Sequence, residues 1–394
     1  MKITVPTIDF GTSKIVAMVA QSNGKRCDIV GSGAVPYSGY LQDGWNNPDE
    51  IRDVIRTAID QAQKTGNCRI HELNVGVPGM FTRVIVKEVH VSLTGPDPHV
   101  TAQDVRACFK LAEESGGDRI IHSAPAWFRV DDGKKTLSPV GIKGRELSAM
   151  IALVTADKYF IDDITYRLRD MDIEPREFYS TVAGEATYAL SQDERDKTAM
   201  LIDIGYLCTD VMVMEGDALI FHKCLDIGGG HISADIAEQL NTPFPFVEEK
   251  IKQTYSFNST NQDETYVIPA TEDEPARTVR RDEVTPIIEA KVEEIAEAIN
   301  KALEEGGVKL GKWSNVYLTG GGLILNKGGK DFLAGKLHRI IREAQRTNNK
   351  MTSHVFSSAV GLTILVVTTQ EEQKAPEGGA KGLFSRAFRW LMGY

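Results

Sequence analysis

Two apolar strands that each end in an aspartate, one in either half of the chain, constrain this sequence more than any other feature. Residues 3–8 lead into Asp9-Phe10-Gly11-Thr12-Ser13-Lys14, and Ala199-Met200-Leu201-Ile202 leads into Asp203-Ile204-Gly205-Tyr206-Leu207-Cys208-Thr209-Asp210. Each runs through a turn into a second apolar run, 14–20 after the first and 210–214 after the second. A β-hairpin with an acidic strand end is therefore written twice. An internal repeat of this kind implies two related halves, and it is the strongest fold argument the sequence offers.

The class is α/β. Pro48 opens a helix whose Ile51, Val54, Ile55, Ala58, Ile59 and Ala62 fall at the 3.6 period of a face laid on a sheet. Leu73 to Gly79 is a short strand leaving that unit. Between about 80 and 163 the pattern is that of a second compact unit: a strand over Val84 to Val91, a helix over Thr101 to Glu114, and strands near Ile120, over Trp127 to Val130 and over Leu147 to Val154. A helix from Ala156 to Met171 follows. Residues 227–240 and 246–255 read as helices, 258–281 as a polar insert with sparse strand signal, and Asp282 to Glu305 as a long helix.

A third strand, Tyr317-Leu318-Thr319, runs into Gly320-Gly321-Gly322. At all three strand ends a turn follows an apolar run, where backbone N–H groups can meet a phosphate. Two acidic strand ends across a cleft suit Mg-nucleotide chemistry, each carboxylate holding the metal through water. Thr12 and Ser13 supply hydroxyls and Lys14 a cation for phosphate oxygens. Taken alone, Asp-x-Gly-Thr is hairpin chemistry; the second copy and the glycine run turn the balance toward a nucleotide. Asp226-Ile227-Gly228-Gly229-Gly230-His231 looks more like a phosphate loop than the segment at Asp203 does. It follows the second hairpin strand and opens a helix, so Gly228, Gly229, Gly230 and His231 are read as nucleotide-contacting and not metal-binding.

Composition narrows the function. At 394 residues two or more domains are expected. A net charge of -10 with no basic stripe argues against a nucleic-acid role. The five cysteines are odd in number and scattered without a C-x-x-C pair, and the eight histidines show no ligand spacing. Neither a zinc nor a disulfide signature is present, and free thiols in a reducing cytoplasm are expected. The N-terminus does not read as a secretory signal. The longest late apolar stretch, Ala359 to Val367, is about half the roughly 20 residues that span a bilayer, and reads as buried core.

The C-terminus reads as a linker, 370–381, of about 12 flexible residues reaching on the order of 20 Å, followed by an amphipathic segment, 382–394. On an ideal helix Ser385, Arg386 and Arg389 share one arc, while Leu383, Phe384, Ala387, Phe388, Trp390, Leu391 and Met392 occupy the rest. Leu383, Phe384, Phe388, Trp390 and Leu391 would sink to the acyl boundary while Arg386 and Arg389 meet anionic headgroups. A helix docked on its own core is the other reading; the charged linker argues against it. One short helix binds weakly, so stable attachment favours self-association.

Over nearly its whole length the chain resembles the FtsA family of bacterial cell-division proteins, in the actin/Hsp70/sugar-kinase superfamily. The likeness rests on Ile8 to Lys14, the 80–163 unit with Pro139-Val140-Gly141-Ile142-Lys143-Gly144, Gly229 to Ala237, Thr319 to Gly322, Ala359-Val360-Gly361-Leu362 and the basic-aromatic tail. It implies an actin-like two-lobed ATPase fold with pseudo-repeated halves and an FtsA-type inserted subdomain in the first half. The implied organisation is 1–79, with 355–369 packing back on it; the insert 80–163; 164–226 with 315–354; and a second insert, 227–314. It further implies that Asp9 and Asp203 hold Mg, that Gly11, Thr12, Ser13 and Lys14 cradle phosphate with Gly205 and Thr209 opposite, and that Gly320, Gly321 and Gly322 pass beneath the adenosine. Glu249 and Lys252, one turn apart, would grip base and ribose; an ordinary solvated helix face is the other reading. Glu185 lies where relatives place a catalytic, water-orienting side chain; a cap or solvated glutamate is the alternative.

One departure stands out. The family usually carries three glycines in its second phosphate loop, where this chain has Gly205-Tyr206-Leu207. Losing two glycines removes easy access to positive φ and adds bulk where the γ-phosphate would lie, so hydrolysis is expected to be slow or absent. The function implied is an ATP-binding, self-associating adaptor on the cytoplasmic face of the cell membrane at the division site, binding anionic lipids and the C-terminal peptide of FtsZ. A pilus-assembly-type scaffold is the alternative. A small-molecule kinase is weaker, because no general base appears beyond the nucleotide residues.

Overall fold

The computed structural model describes residues 3–24, 26–114, 116–117, 119–261, 263–270, 275–311, 314–344 and 353–373. The chain opens with the expected hairpin: β1 (Ile3–Phe10) pairs antiparallel with β2 (Lys14–Ser22), and β2 with β3 (Cys27–Pro36). A two-residue pair, β4 (Tyr40–Leu41) and β5 (Gly44–Trp45), precedes α1 (Ile51–Gly66), and β6 (Glu72–Val77) returns parallel to β1.

The inserted unit is a three-stranded antiparallel sheet, β7 (Thr82–Ser92), β8 (Ile120–Val130) and β9 (Glu146–Ala156), in the order β7-β9-β8. Helix α2 (Ala102–Glu114) covers one face through Val105, Cys108 and Ala112, which share a core with Phe128, Leu147 and Ile151. The two strands expected near Ile120 and Trp127 are one strand. Register shifts at Ile120/His122 and Pro125/Trp127 carry it past Pro125, whose missing N–H suits a bulge.

Helix α3 (Lys158–Arg169) does not belong to this insert. Its Phe160, Ile164 and Leu168 lie in the same core as Ile8, Phe10, Ile55 and Ile59, so the insert ends near Ala156 rather than at 163. Strand β10 (Glu174–Ser180) then joins β6 in parallel and completes the first sheet, β10-β6-β1-β2-β3. The expected second-half boundary at 164 is corrected with it. Helices α4 (Thr181–Ala189) and α5 (Gln192–Arg195) lead out of this sheet.

A second sheet follows: β11 (Ala199–Ile204), β12 (Thr209–Glu215) and β13 (Ala218–Leu225), then β16 and β17 from later in the chain. Between them come α6 (Gly229–Gln239), α7 (Phe244–Phe246), a π-helical turn over Val247–Lys252, the antiparallel pair β14 (Thr265–Ile268) and β15 (Arg277–Arg280), and the long α8 (Arg281–Glu305). Strands β16 (Asn315–Thr319) and β17 (Ile341–Glu343) pair in parallel on either side of α9 (Gly329–Leu337). The sheet order β13-β12-β11-β16-β17 repeats that of the first sheet strand for strand, third-second-first and then two later strands. The repeat read from the two acidic strand ends is thus present in the topology.

The last helix, α10 (Ser357–Gln373), packs on β1, β2 and α4. It explains why β1 is buried on both faces. Ile8 and Phe10 face the α1–α3 core, while Ile3 and Val5 join Leu362, Val366 and Val367 on the opposite face. Thr7 meets Thr363 there at 2.8 Å. Both faces of a central strand are covered, as in α/β folds generally. The expected linker at 370–381 is corrected at its start: Gln370 is buried in α10 and donates to Asn74 Oδ1 at 3.3 Å. Residues 374–381 and the amphipathic segment 382–394, with Leu383, Phe384, Arg386, Phe388, Arg389, Trp390 and Leu391, lie outside the described residues.

The described residues fall into two compact units, one from those within 3–200, 212–222 and 353–373 and the other from those within 201–211 and 223–344. Among the same residues no helix is long and apolar enough to cross a membrane.

Candidate functional site

The first unit holds the β1–β2 turn. Gly11 N donates to Lys14 O at 3.0 Å, closing the tip. Two tyrosines fix it from the side: Tyr40 OH donates to Phe10 O at 2.9 Å and Tyr37 OH to Gly11 O at 2.6 Å. Phe10 is anchored edge-on to Phe160 with centroids 5.6 Å apart, so the strand end that presents Asp9 is held by an aromatic core.

Asp9 is buried, its Oδ1 accepting from Ser358 Oγ of α10 at 3.2 Å. Burial pushes its carboxyl up from 3.8 to about 6, opposed by the Ser358 hydrogen bond, the Lys14 charge and the Phe10 backbone. A carboxylate held in this state gains from a cation beside it. The residues present fit a divalent ion: a desolvated oxygen donor at a strand end, with hydroxyls and a lysine in the adjoining turn.

Glu185 sits in α4, in this same unit, and is 2 % exposed. Neither expected alternative for it holds: it is not solvated, and the helix cap is Ser180, whose Oγ accepts from Ala183 N at 3.2 Å. Its place is set by a close helix crossing. A Cβ on Gly361 would come within 2.5 Å of Glu185 Cα, and one on Gly184 within 2.9 Å of Gly361 O. Only glycines let α10 and α4 approach this far, which is the physical content of the Ala359-Val360-Gly361-Leu362 segment.

The second unit brings three loops together. Gly205 N donates to Cys208 O at 2.9 Å, closing the second turn. The start of α6 is latched to that turn, Gly229 N donating to Gly205 O at 2.9 Å and Gly230 N to Tyr206 O at 2.7 Å. The loop after β16 is fixed to the same strand end by Gly322 N donating to Ile204 O at 2.7 Å. Gly320 has φ +87°, and a Cβ there would lie 2.0 Å from Asp203 Oδ1. The backbone passes against the acidic strand end with no room for a side chain, the arrangement a nucleotide cradle needs.

Several expected contacts are corrected by this geometry. The amides of Gly228, Gly229 and Gly230 are already engaged, Gly228 N donating to His231 Nδ1 at 3.0 Å. That segment latches loops to one another instead of offering N–H groups to phosphate, and His231 caps α6. Thr209 is fully buried with Oγ1 donating to Ile227 O at 2.7 Å, so its hydroxyl is engaged within the fold. Glu249 is exposed; the carboxylate beside Lys252 is Glu248, at 3.2 Å. A π turn is wider than an α turn, which brings the residue four back under Lys252. Lys252 is 5 % exposed, and burial lowers its pKa against the pull of Glu248. Its ammonium stands 5.9 Å from the Tyr206 ring centroid.

Four residues important to these sites carried no signal in the sequence. Ser358, Tyr37 and Asn326 act through partners distant in the chain, and Glu248 lies one residue off the expected spacing. Asn326, buried, donates to Lys252 O at 2.6 Å and Tyr255 O at 3.0 Å, fixing the end of the π turn.

Two family models match the chain: the cell division protein FtsA over residues 200–361, and the SHS2 domain inserted in FtsA over residues 79–155. The chain belongs to the FtsA family. Among curated relatives, FtsA of Pseudomonas aeruginosa is 28% identical over 253 residues, covering 63% of this chain and 60% of that protein. FtsA of Neisseria meningitidis is 22% identical over 406 residues, covering 98% of this chain and 97% of that protein. Among solved structures, a PilM–PilN type IV pilus biogenesis complex superposes with a TM-score of 0.61 at 17% identity, covering 93% of this chain and 99% of that one. MreB5 of Spiroplasma citri bound to ADP gives 0.55 at 11%, covering 95% and 99%. These likenesses establish an actin-like fold carrying the FtsA-type insert, whose boundary at 155 agrees with the end of β9.

Proposed function

We propose that this FtsA-family chain is an ATP-binding, self-associating adaptor that tethers FtsZ filaments to the inner face of the cell membrane during division. The observation that carries the nucleotide part is the interlock of loops at Asp203, with Gly320 and Gly322 pressed against the strand end. In this reading Asp9 and Asp203 hold Mg through water, and the metal supplies charge neutralisation for the phosphates. The turn 11–14 takes phosphate oxygens with Thr12, Ser13 and Lys14. The backbone at Gly320 to Gly322 supports the adenosine, and Lys252 with Glu248 lies on the base and ribose side. Glu185, buried and fixed by the α4–α10 crossing, is the group offered to a hydrolytic water.

Tyr206 places a ring against Gly230, where a Cβ would be 3.0 Å from the ring carbon Cζ. With Leu207 it fills space the family leaves open, and this supports a nucleotide switch with slow turnover. The tail 382–394 supplies the membrane contact and several copies supply its strength. The second insert, 227–314, takes the FtsZ C-terminal peptide. Likeness to the PilM-containing complex keeps a pilus-type scaffold as the second reading. Titration of the full chain with a fluorescent ATP analogue tests the nucleotide part. Binding that requires Mg and is lost in Asp203→Asn supports it; no binding in either protein contradicts it.

A further inference from the structure

The second unit holds a group of side chains that the nucleotide reading does not use. Cys208 at the end of the 203–208 loop, Asp210 in β12 and Cys224 in β13 bring two Sγ atoms and a carboxylate oxygen within 4.8 Å of one another. Cys208 is buried and the other two are half-buried. Sequence spacing does not reveal this group, because the pair is neither C-x-x-C nor closely spaced; the turn back at Gly216 creates it.

The donor types point to one class of ligand. Two thiolates and a carboxylate suit a borderline-soft divalent ion without geometric preference, with sulfur at about 2.3 Å and oxygen at about 2.0–2.2 Å. Donors on a tetrahedron of that size stand roughly 3.5 Å apart, so a group already within 4.8 Å closes by small side-chain movements. We propose that Cys208, Asp210 and Cys224 form a zinc-class metal site with a fourth position left to water.

The placement gives the ion a structural consequence. Cys208 closes the turn whose Gly205 and Tyr206 carbonyls receive Gly229 and Gly230. Cys224 stands just ahead of the Asp226-to-His231 segment. An ion bridging the two cysteines fastens the 205–208 turn to the strand that feeds that segment, where two of the family's glycines are missing. Both thiols lose a proton on binding, so affinity rises with pH.

The test uses the full chain, kept reduced by a phosphine and carrying Cys27→Ser, Cys68→Ser and Cys108→Ser, titrated with Co(II) and then Zn(II). The expected result is a sulfur-to-cobalt charge-transfer band saturating at one ion per chain and displaced by one equivalent of zinc. Cys224→Ser abolishes the band and Asp210→Asn weakens binding at least tenfold. As a check independent of the triple variant, zinc should protect Cys208 and Cys224 of the wild-type chain from alkylation, leaving Cys27 and Cys68 reactive. No band in a folded chain, a band that survives Cys224→Ser, or a Cys208–Cys224 disulfide forming in air at the same rate with and without zinc would each overturn the proposal.

Discussion

Asparagine at position 9 should make this protein more stable and less able to bind its ligand. Asp9 is 6 % exposed, and its carboxyl titrates at about 6 instead of 3.8. About two pKa units at about 1.4 kcal/mol each make the ionised form cost on the order of 3 kcal/mol in the folded state. The sign follows from proton counting. Between pH 3.8 and about 6 the folded state keeps the proton that the unfolded chain has lost, so stability falls as pH rises through this window. Above it the full penalty persists, and below it the penalty is absent. Asn keeps the shape and can still accept from Ser358, and it carries no charge.

Calorimetric unfolding of Asp9→Asn and wild type, run from pH 5 to 8, measures the difference. The variant's advantage should be about half its full value at pH 5 and reach roughly 6–12 °C by pH 8, taking 2–4 °C per kcal/mol for a unit of this size. Mg-ATP should raise the melting temperature of wild type and leave the variant unmoved. A variant less stable than wild type at pH 8, or an advantage that does not change with pH, refutes the reasoning.

Restoring Gly at 206 and 207 together should raise ATP turnover above wild type in a phosphate-release assay, because the loop closes through the backbone of Gly205 and Tyr206 and not their side chains; brisk wild-type hydrolysis would contradict this. Gly320→Ala places a methyl 2.0 Å from Asp203 Oδ1 at φ +87°, and should cost about 1–3 kcal/mol on backbone strain alone and abolish nucleotide binding in the same titration. Arg195 is buried and gives hydrogen bonds to Gly216 O, Leu190 O and, at 3.0 Å, Asp217 Oδ1. Asp217→Ala strands that guanidinium and should destabilise the first unit by about 3–5 kcal/mol in denaturant melts.

The sequence made the repeated hairpins legible because strand alternation and turn residues are local signals, and the amphipathic faces of α1 and α8 for the same reason. Sheet order was not legible. Nothing near Glu174 says that its strand pairs with β6, and the wrong boundary at 164 followed from that. The apolar run from Ala359 reads as core in the sequence; as α10 it supplies the second cover of β1 and the Ser358 hydroxyl at Asp9, both contacts made across almost the whole chain. At the candidate site, the sequence shows which residue types stand at the strand ends but not which partners they take. Gly228 to Gly230 resemble a phosphate loop in composition, yet the N–H groups of Gly229 and Gly230 meet carbonyls of the 205–206 turn and that of Gly228 meets His231 Nδ1. Glu249 lost its place to Glu248 through a π turn, a conformation with no composition of its own. Cys208 and Cys224 are neighbours only because a hairpin folds them together.

The measurement that bears most directly on the account is sedimentation of purified FtsZ with anionic vesicles, with the full chain or a chain ending at Gly379. The account predicts that FtsZ pellets with the full chain and stays in the supernatant with the shortened one. If the full chain pellets while FtsZ remains in solution, the tether is contradicted and the scaffold needs another partner. If neither protein pellets, the membrane role itself is contradicted.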